Sequence, residues 1–330
     1  MNRAQMGAAL AAAALATGLA AVDADGAATS IGQGRLPSLA VDAAGTGYVT
    51  WWESKVDSRL FFCRFPRGAT ACDSGPAATV PVHGDGLTKA PVVVSGSRVV
   101  TVADRYVDEN AGSGPSGLFA YTSTNRGTSF DAGHVVGSVP IFDSVAGPGD
   151  TLSGVEENGK PLQFQNVPLS GPAPSNPDGT SAVPSASLTT GEFGYNATVG
   201  LLDAGTLLVV YQHGAGGGDA AFRRYDGSGS VNDAANWMAQ VSIGPLYGPQ
   251  LAGGPSGLFL LGTDAPPLSS GNVVVRKFDG TTFGAPVTIG PGGGVRAQDL
   301  FQDAGGRLHA VYERADSSAI AVVHAVSDDG

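Results

Sequence analysis

The chain has 330 residues, with 18 Lys and Arg against 29 Asp and Glu, a formal net charge of −11, and no basic run longer than the pair Arg223-Arg224. Nucleic-acid phosphates are held by clustered cations, so this distribution excludes a nucleic-acid partner. With 50 Gly, 21 Pro, only 14% charged residues and no long stretch of helical periodicity, the composition points to an all-β chain rich in turns.

Segment 1–28 reads as a secretory signal. Arg3 supplies a short basic region, 6–22 is apolar without a charge, and small residues at Ala21, Ala24 and Ala28 suit cleavage near 21–28. A membrane anchor would need a longer and more apolar span, and no later stretch could cross a bilayer. The mature chain, 29–330, is expected to be one domain that is secreted or held at the cell surface.

From residue 36 onward one unit recurs six times, at intervals of roughly fifty residues, the period of propeller blades. Each copy has an apolar strand, a turn containing Gly or Asp, and a second apolar strand ending in a polar group. In chain order the copies read LPSLAVDAAGTGYVTWWE, APVVVSGSRVVTVAD, IFDSVAGPGDTLSGVEE, NATVGLLDAGTLLVVYQ, PQLAGGPSGLFLLGTD and AQDLFQDAGGRLHAVYE. The fifth unit contains four separate strands, PQLAG, GLFLLGT, NVVVRKFD and GAPVTIG, divided by Gly, Pro and Ser turns. Six units of four antiparallel strands predict a six-bladed β-propeller.

Cys63 and Cys72 are the only cysteines, in the first unit's CRFPRGATAC. A hairpin about the Pro-Arg-Gly turn brings them together, so an exported chain would form a disulfide closing a short loop. A metal site would need further ligands nearby, and the sequence supplies none.

The sixth unit stops at SDDG, where the turn into its fourth strand should begin. The segment TSIGQGRLPSLA (29–40) matches VSIGPLYGPQLA (241–252) at one constant offset, with Arg35 falling on Tyr247. Segment 241–244 reads as the outer strand of its blade, so 29–32 is expected to complete the sixth blade and close the ring. A chain cut from a longer protein is the rival explanation.

STNRGTSF (123–130) in the second unit resembles the Asp-box, the S-x-D-x-G-x-x-W signature of sialidases and bacterial neuraminidase repeat proteins. Asn125 stands in place of the Asp and Phe130 in place of the Trp. SDDG matches its first half, and FDGTTF (278–283) is a degenerate copy. Each copy falls between third and fourth strands, where the family places it. The resemblance implies a structural role for Ser123, Asn125, Gly127 and Phe130, on the face away from the active centre. For the opposite face it implies three arginines clamping a sialic acid carboxylate, an Asp acid/base, and a Tyr nucleophile activated by Glu.

Arg35, in GRLPSL, resembles the first arginine of the family's aromatic-Arg-Ile-Pro motif, though Gly34 replaces the aromatic and Leu36 the Ile. Asp57 falls where the acid/base would be sought. Arg105 and Arg296, with Arg59 and Arg314, are the remaining clamp candidates, without the family's surrounding sequence. Tyr195 with Glu192, Tyr247, and Tyr312 with Glu313 are nucleophile candidates that nothing separates. Tyr312, aligned with Trp52, reads as a buried strand residue.

Glu53, Asp104, Glu156 with Glu157, Gln212, Thr263 with Asp264, and Glu313 follow the ends of the second strands. In a closed ring they would stand around one face. Such carboxylates would suit Ca²⁺, or would bind sugar hydroxyls beside Tyr106, Tyr195, Tyr247 and His213. The plain alternative is that each is solvated or paired with a nearby Lys or Arg, a contribution of about 0–1 kcal/mol. No cofactor motif is present, and the histidines lack metal-ligand spacing. The leading expectation is a non-catalytic propeller that binds a glycan on its axial face. An exo-sialidase using Arg35 and Asp57, or a scaffold for an extracellular protein partner, are the alternatives.

Overall fold

The computed structural model describes residues 35–327 except 43, 54–57, 67–68, 70, 74–77, 85–88, 106–116, 138–142, 148–149, 157–161, 171–184, 190–193, 204, 214–217, 267–269, 294–297, 303–304 and 317–318. Among the described residues twenty-three strands form six antiparallel sheets, taken strictly in chain order. Five sheets have four strands and the sixth has three among the described residues. Segment 1–28, expected to be a leader, and the strand expected at 29–32 lie outside the described residues.

The fifth sheet matches the four strands read from its sequence: Tyr247–Gly254, Gly257–Thr263, Ser270–Lys277 and Val287–Gly293. The sixth is built from Gln298–Gln302, Leu308–Asp316 and Ala319–Ser327. First-to-second-strand turns are tied by Asp carboxylates. Asp42 Oδ1 accepts from Ala44 and Thr46 N–H at 2.9 Å, and Asp203 Oδ1 accepts from Gly205 and Thr206 N–H at 3.0 and 2.9 Å. This is the Asx bonding that makes Asp a turn residue.

Packing explains why the second strands read as unbroken apolar runs. In Leu207–His213 of the fourth sheet, Leu207, Val209 and Tyr211 join a core with Phe164 and Val155 of the third sheet. Leu208 and Val210 face the other way, onto Leu246, Leu258 and Leu260 at the fifth. A sheet held between two others buries both faces, so alternation disappears. Equivalent clusters join the first sheet to the second, the second to the third and the fifth to the sixth. Among the described residues no such cluster joins the sixth to the first. The outward face of the first sheet instead carries Trp51, Val49, Phe61 and Phe65 around a disulfide.

That disulfide is the expected Cys63–Cys72 pair, with Cα atoms 5.4 Å apart. It ties the third strand, Ser58–Phe65, to the connection that follows it, beside an Arg64–Asp73 ion pair of 2.9 Å. In the second sheet the same connection is held without a covalent bond. Ser123 Oγ accepts from Gly127 N–H at 2.7 Å and donates to Asn125 Oδ1 at 2.8 Å, and Asn125 Oδ1 also accepts from Ser129 N–H at 3.0 Å. Gly127 has φ +89°, and Phe130 packs edge-on against Phe62 of the first sheet with ring centres 5.1 Å apart.

Candidate functional site

A cavity of 560 Å³ draws lining residues from the first strand of every sheet, or from the residues just before it. Ser38 and Leu39 come from the first sheet, Lys89 and Val92 from the second, Asp143 from the third, Val199 from the fourth, Gln250 from the fifth and Asp299 from the sixth. These first strands are therefore the inner ones, and the cavity is axial. They approach closely: a side chain at Gly253 would place its Cβ 2.6 Å from the Leu201 carbonyl of the neighbouring sheet, so only Gly fits there.

Side chains stitch the inner strands together across sheet boundaries. Val199 N–H donates to Asp143 Oδ2 at 3.1 Å, joining the fourth sheet to the third. Leu251 N–H donates to Thr198 Oγ1 at 3.1 Å, joining the fifth to the fourth. Asp143, Thr198, Gln250 and Asp299 hold the same register, opposite Val155, Val210, Leu261 and Val311 of their second strands. Asp143, Gln250 and Asp299, with Ser38 at the matching place in the first sheet, form a partial polar ring in the cavity wall where the inner strands begin, while Thr198 is buried between sheets.

Beside this ring, Lys89, just ahead of the second sheet's first strand, adds a cation to the carboxylates of Asp143 and Asp299. Asp299 Oδ1 accepts from Leu300 N–H at 2.9 Å. Its surface is open to the cavity, yet protein surrounds it on most sides. Burial pushes its carboxyl above the usual carboxylate range, Lys89 and the Leu300 N–H oppose the rise, and Asp143 adds to it. Asp203 lines the cavity too, but its carboxylate serves the turn described above.

Three inner strands carry the same irregularity just before this ring. The register shifts between Arg35 and Ser38, between Tyr195 and Thr198, and between Tyr247 and Gln250. Bulges of this kind re-aim side chains beside binding sites. Arg35, Tyr195 and Tyr247 thus occupy one repeated position, opposite Trp52, Gln212 and Thr263. The sequence match between Arg35 and Tyr247 has a structural counterpart in this shared register.

The other sequence candidates divide. Arg105 closes its second strand opposite Gly117, while Asp57 and Arg296 lie outside the described residues, as do the side chains of Arg35, Arg105, Tyr195 and Glu313. Tyr312 is buried as expected, but its register differs by one. Ser38 lies opposite Thr50 and Asp299 opposite Val311, so Tyr312 matches Trp51, and Glu313 matches Trp52.

Several of the second-strand-end polar groups are bound locally. Glu53 is paired to Arg59, with Arg59 Nε donating to Glu53 Oε2 at 2.8 Å, and these bonds hold the carboxyl below its usual range. Gln212 is buried and accepts from Gly248 N–H at 3.2 Å. Thr263 donates to the Ala265 carbonyl at 3.1 Å, and Asp264 accepts from Asn272 N–H at 2.6 Å. Asp104 is half-buried at the end of its strand. Among the described residues no group of three or more His, Cys, Asp or Glu is placed to hold a metal ion, and no helix is long and apolar enough to cross a membrane. Asp143 and Asp299 were missed by reading the second strands. The signal was a polar residue recurring early in the first strands of five sheets, at Ser38, Asp143, Thr198, Gln250 and Asp299.

No protein-family model matches the sequence, and no curated protein matches it. Solved structures do. The NanB sialidase of Streptococcus pneumoniae superposes with a TM-score of 0.56 at 10% identity, over 91% of this chain and 68% of that one. The intramolecular trans-sialidase of Ruminococcus gnavus gives 0.55 at 11% identity, over 91% and 96%. An ulvan lyase of a polysaccharide lyase family gives 0.51 at 12% identity, over 92% and 81%. At such identities the likeness is one of architecture, and on that ground the chain has the sialidase-like β-propeller fold.

Proposed function

We propose that the chain is a secreted six-bladed propeller that binds a glycan, without catalysis, at the end of its axial cavity where the inner strands begin. The observation that carries this reading is the cavity itself, lined from all six sheets and ringed at that end by polar side chains. Its 560 Å³ falls within the ~300–1,000 Å³ of small-ligand sites. Carboxylates and amides in a ring, with Tyr195 and Tyr247 at the repeated position beside it, are the groups that recognise sugar hydroxyls and the apolar faces of sugar rings. Two of the similar structures are named as sialidases and one as an ulvan lyase, which favours carbohydrate as the ligand class. The Cys63–Cys72 disulfide favours an oxidising, extracellular setting.

Ring closure by 29–32 belongs to the same proposal. Arg35 and Tyr247 share one register, and the residues just before Tyr247 are the outer strand Val241–Pro245 of the preceding sheet. By the same geometry, 29–32 would supply the outer strand of the sixth sheet. The turn at Ser123–Phe130 is the folding element that the Asp-box resemblance implies.

Hydrolysis of a fluorogenic sialoside by the mature protein, beside an Arg35→Ala variant, tests the reading. No turnover by either protein, together with retention on at least one glycan of an array, is the expected result. Turnover that disappears in the variant would establish the sialidase alternative. Absence of both turnover and glycan binding would leave the scaffold.

A further inference from the structure

The axial cavity has an asymmetry of charge that bears on which sugars it accepts. Its charged lining residues are Lys89, Asp143, Asp203 and Asp299, three carboxylates against one ammonium. Asp203 is used by its turn, which leaves Lys89, Asp143 and Asp299 at the end where the inner strands begin. Asp143 has one oxygen fixed by Val199 N–H, and its Oδ1 has no partner among the described residues. Asp299 is held the same way, by Leu300 N–H on Oδ1. Lys89 makes no ion pair with either among the described residues, and acts on Asp299 only through space.

Resting on the glycan reading above, we infer that this end of the cavity takes a neutral, hydroxyl-rich sugar terminus and rejects acidic ones, with Asp143 and Asp299 accepting from sugar hydroxyls. A backbone-anchored carboxylate oxygen is a fixed acceptor, and a second oxygen left over can meet a hydroxyl without moving. Bringing a third carboxylate into the same walled space costs like-charge repulsion in a medium that screens poorly. Rejection of the wrong ligand through repulsion is a common source of specificity. The net charge of −11 acts in the same direction at longer range.

The test is an array carrying galactose-, mannose- and glucose-terminated oligosaccharides beside sialylated and uronate-terminated ones, read with the mature protein and with Asp143→Asn and Asp299→Asn. Retention confined to neutral termini, weakened tenfold or more by Asp143→Asn in a protein whose melting is otherwise cooperative, is the expected result. Preference for sialylated or uronate-terminated glycans overturns the inference while leaving the glycan reading intact, and would point to Arg35, Arg105 and Arg296 as the groups that outweigh the cavity wall. Neutral glycans bound equally by wild type and both variants would overturn the roles of the two carboxylates. No retention of any glycan overturns the glycan reading and this inference together.

Discussion

Gly127 of the second sheet lies directly beneath the ring of Phe62 of the first: a Cβ at that position would stand 1.9 Å from Phe62 Cε1. The same glycine has φ +89° and donates its N–H to Ser123 Oγ at 2.7 Å. Three demands meet at one residue, a left-handed backbone, a hydrogen bond that closes the turn, and a close approach between two sheets.

Gly127→Ala is therefore expected to destabilise the protein by roughly 2–5 kcal/mol, combining backbone strain with overpacking against an aromatic ring. Chemical denaturation checks this. A loss under 1 kcal/mol would mean that Phe62 moves aside freely.

Thr198 is fully buried, and its hydroxyl is the acceptor for Leu251 N–H. Thr198→Val keeps the volume and removes the acceptor, so about 1–3 kcal/mol of stability should be lost. A neutral effect would show that the tie between the fourth and fifth inner strands is replaced by water.

Removing the disulfide by Cys63→Ala with Cys72→Ala should cost about 2–3 kcal/mol for so short a loop. Thermal melting with and without reductant gives the comparison. Wild type in reductant should approach the variant, and the variant should not respond to reductant at all.

Asp299 sets a pH dependence. Its carboxyl titrates above the ordinary value in the folded chain, through burial first, whereas the unfolded chain releases that proton near ~3.9. Between those values the folded chain binds more proton, so stability falls as pH rises through that window and stays reduced above it. Asp299→Asn should raise the melting temperature at pH 7, with a gain that shrinks toward nothing as pH falls to about 4. A difference that does not change with pH would remove the burial argument.

The sheets were legible because each repeat carries its own punctuation. Asp42 and Asp203 mark first-to-second-strand turns, and unbroken runs such as LLVVY mark strands covered on both faces. The disulfide was legible because only two cysteines had to find each other. The site was less so. Glu53 drew attention as a rim carboxylate, yet it is held by Arg59 across its own hairpin. Asp143 and Asp299 looked like ordinary residues at strand starts, and only the convergence of six inner strands makes them neighbours of one cavity. Sequence spacing within a repeat does not report distance across an axis.

All six sheets send residues of their first strands, or residues just before them, to one cavity, with Ser38 of the first sheet and Asp299 of the sixth both in its wall. A ligand held there would touch several sheets at once instead of belonging to any single one. Whatever binds the folded chain and not the unfolded one adds to its stability. Occupancy of the axis should therefore slow amide hydrogen exchange in all the sheets together, and the array would open as one unit rather than sheet by sheet.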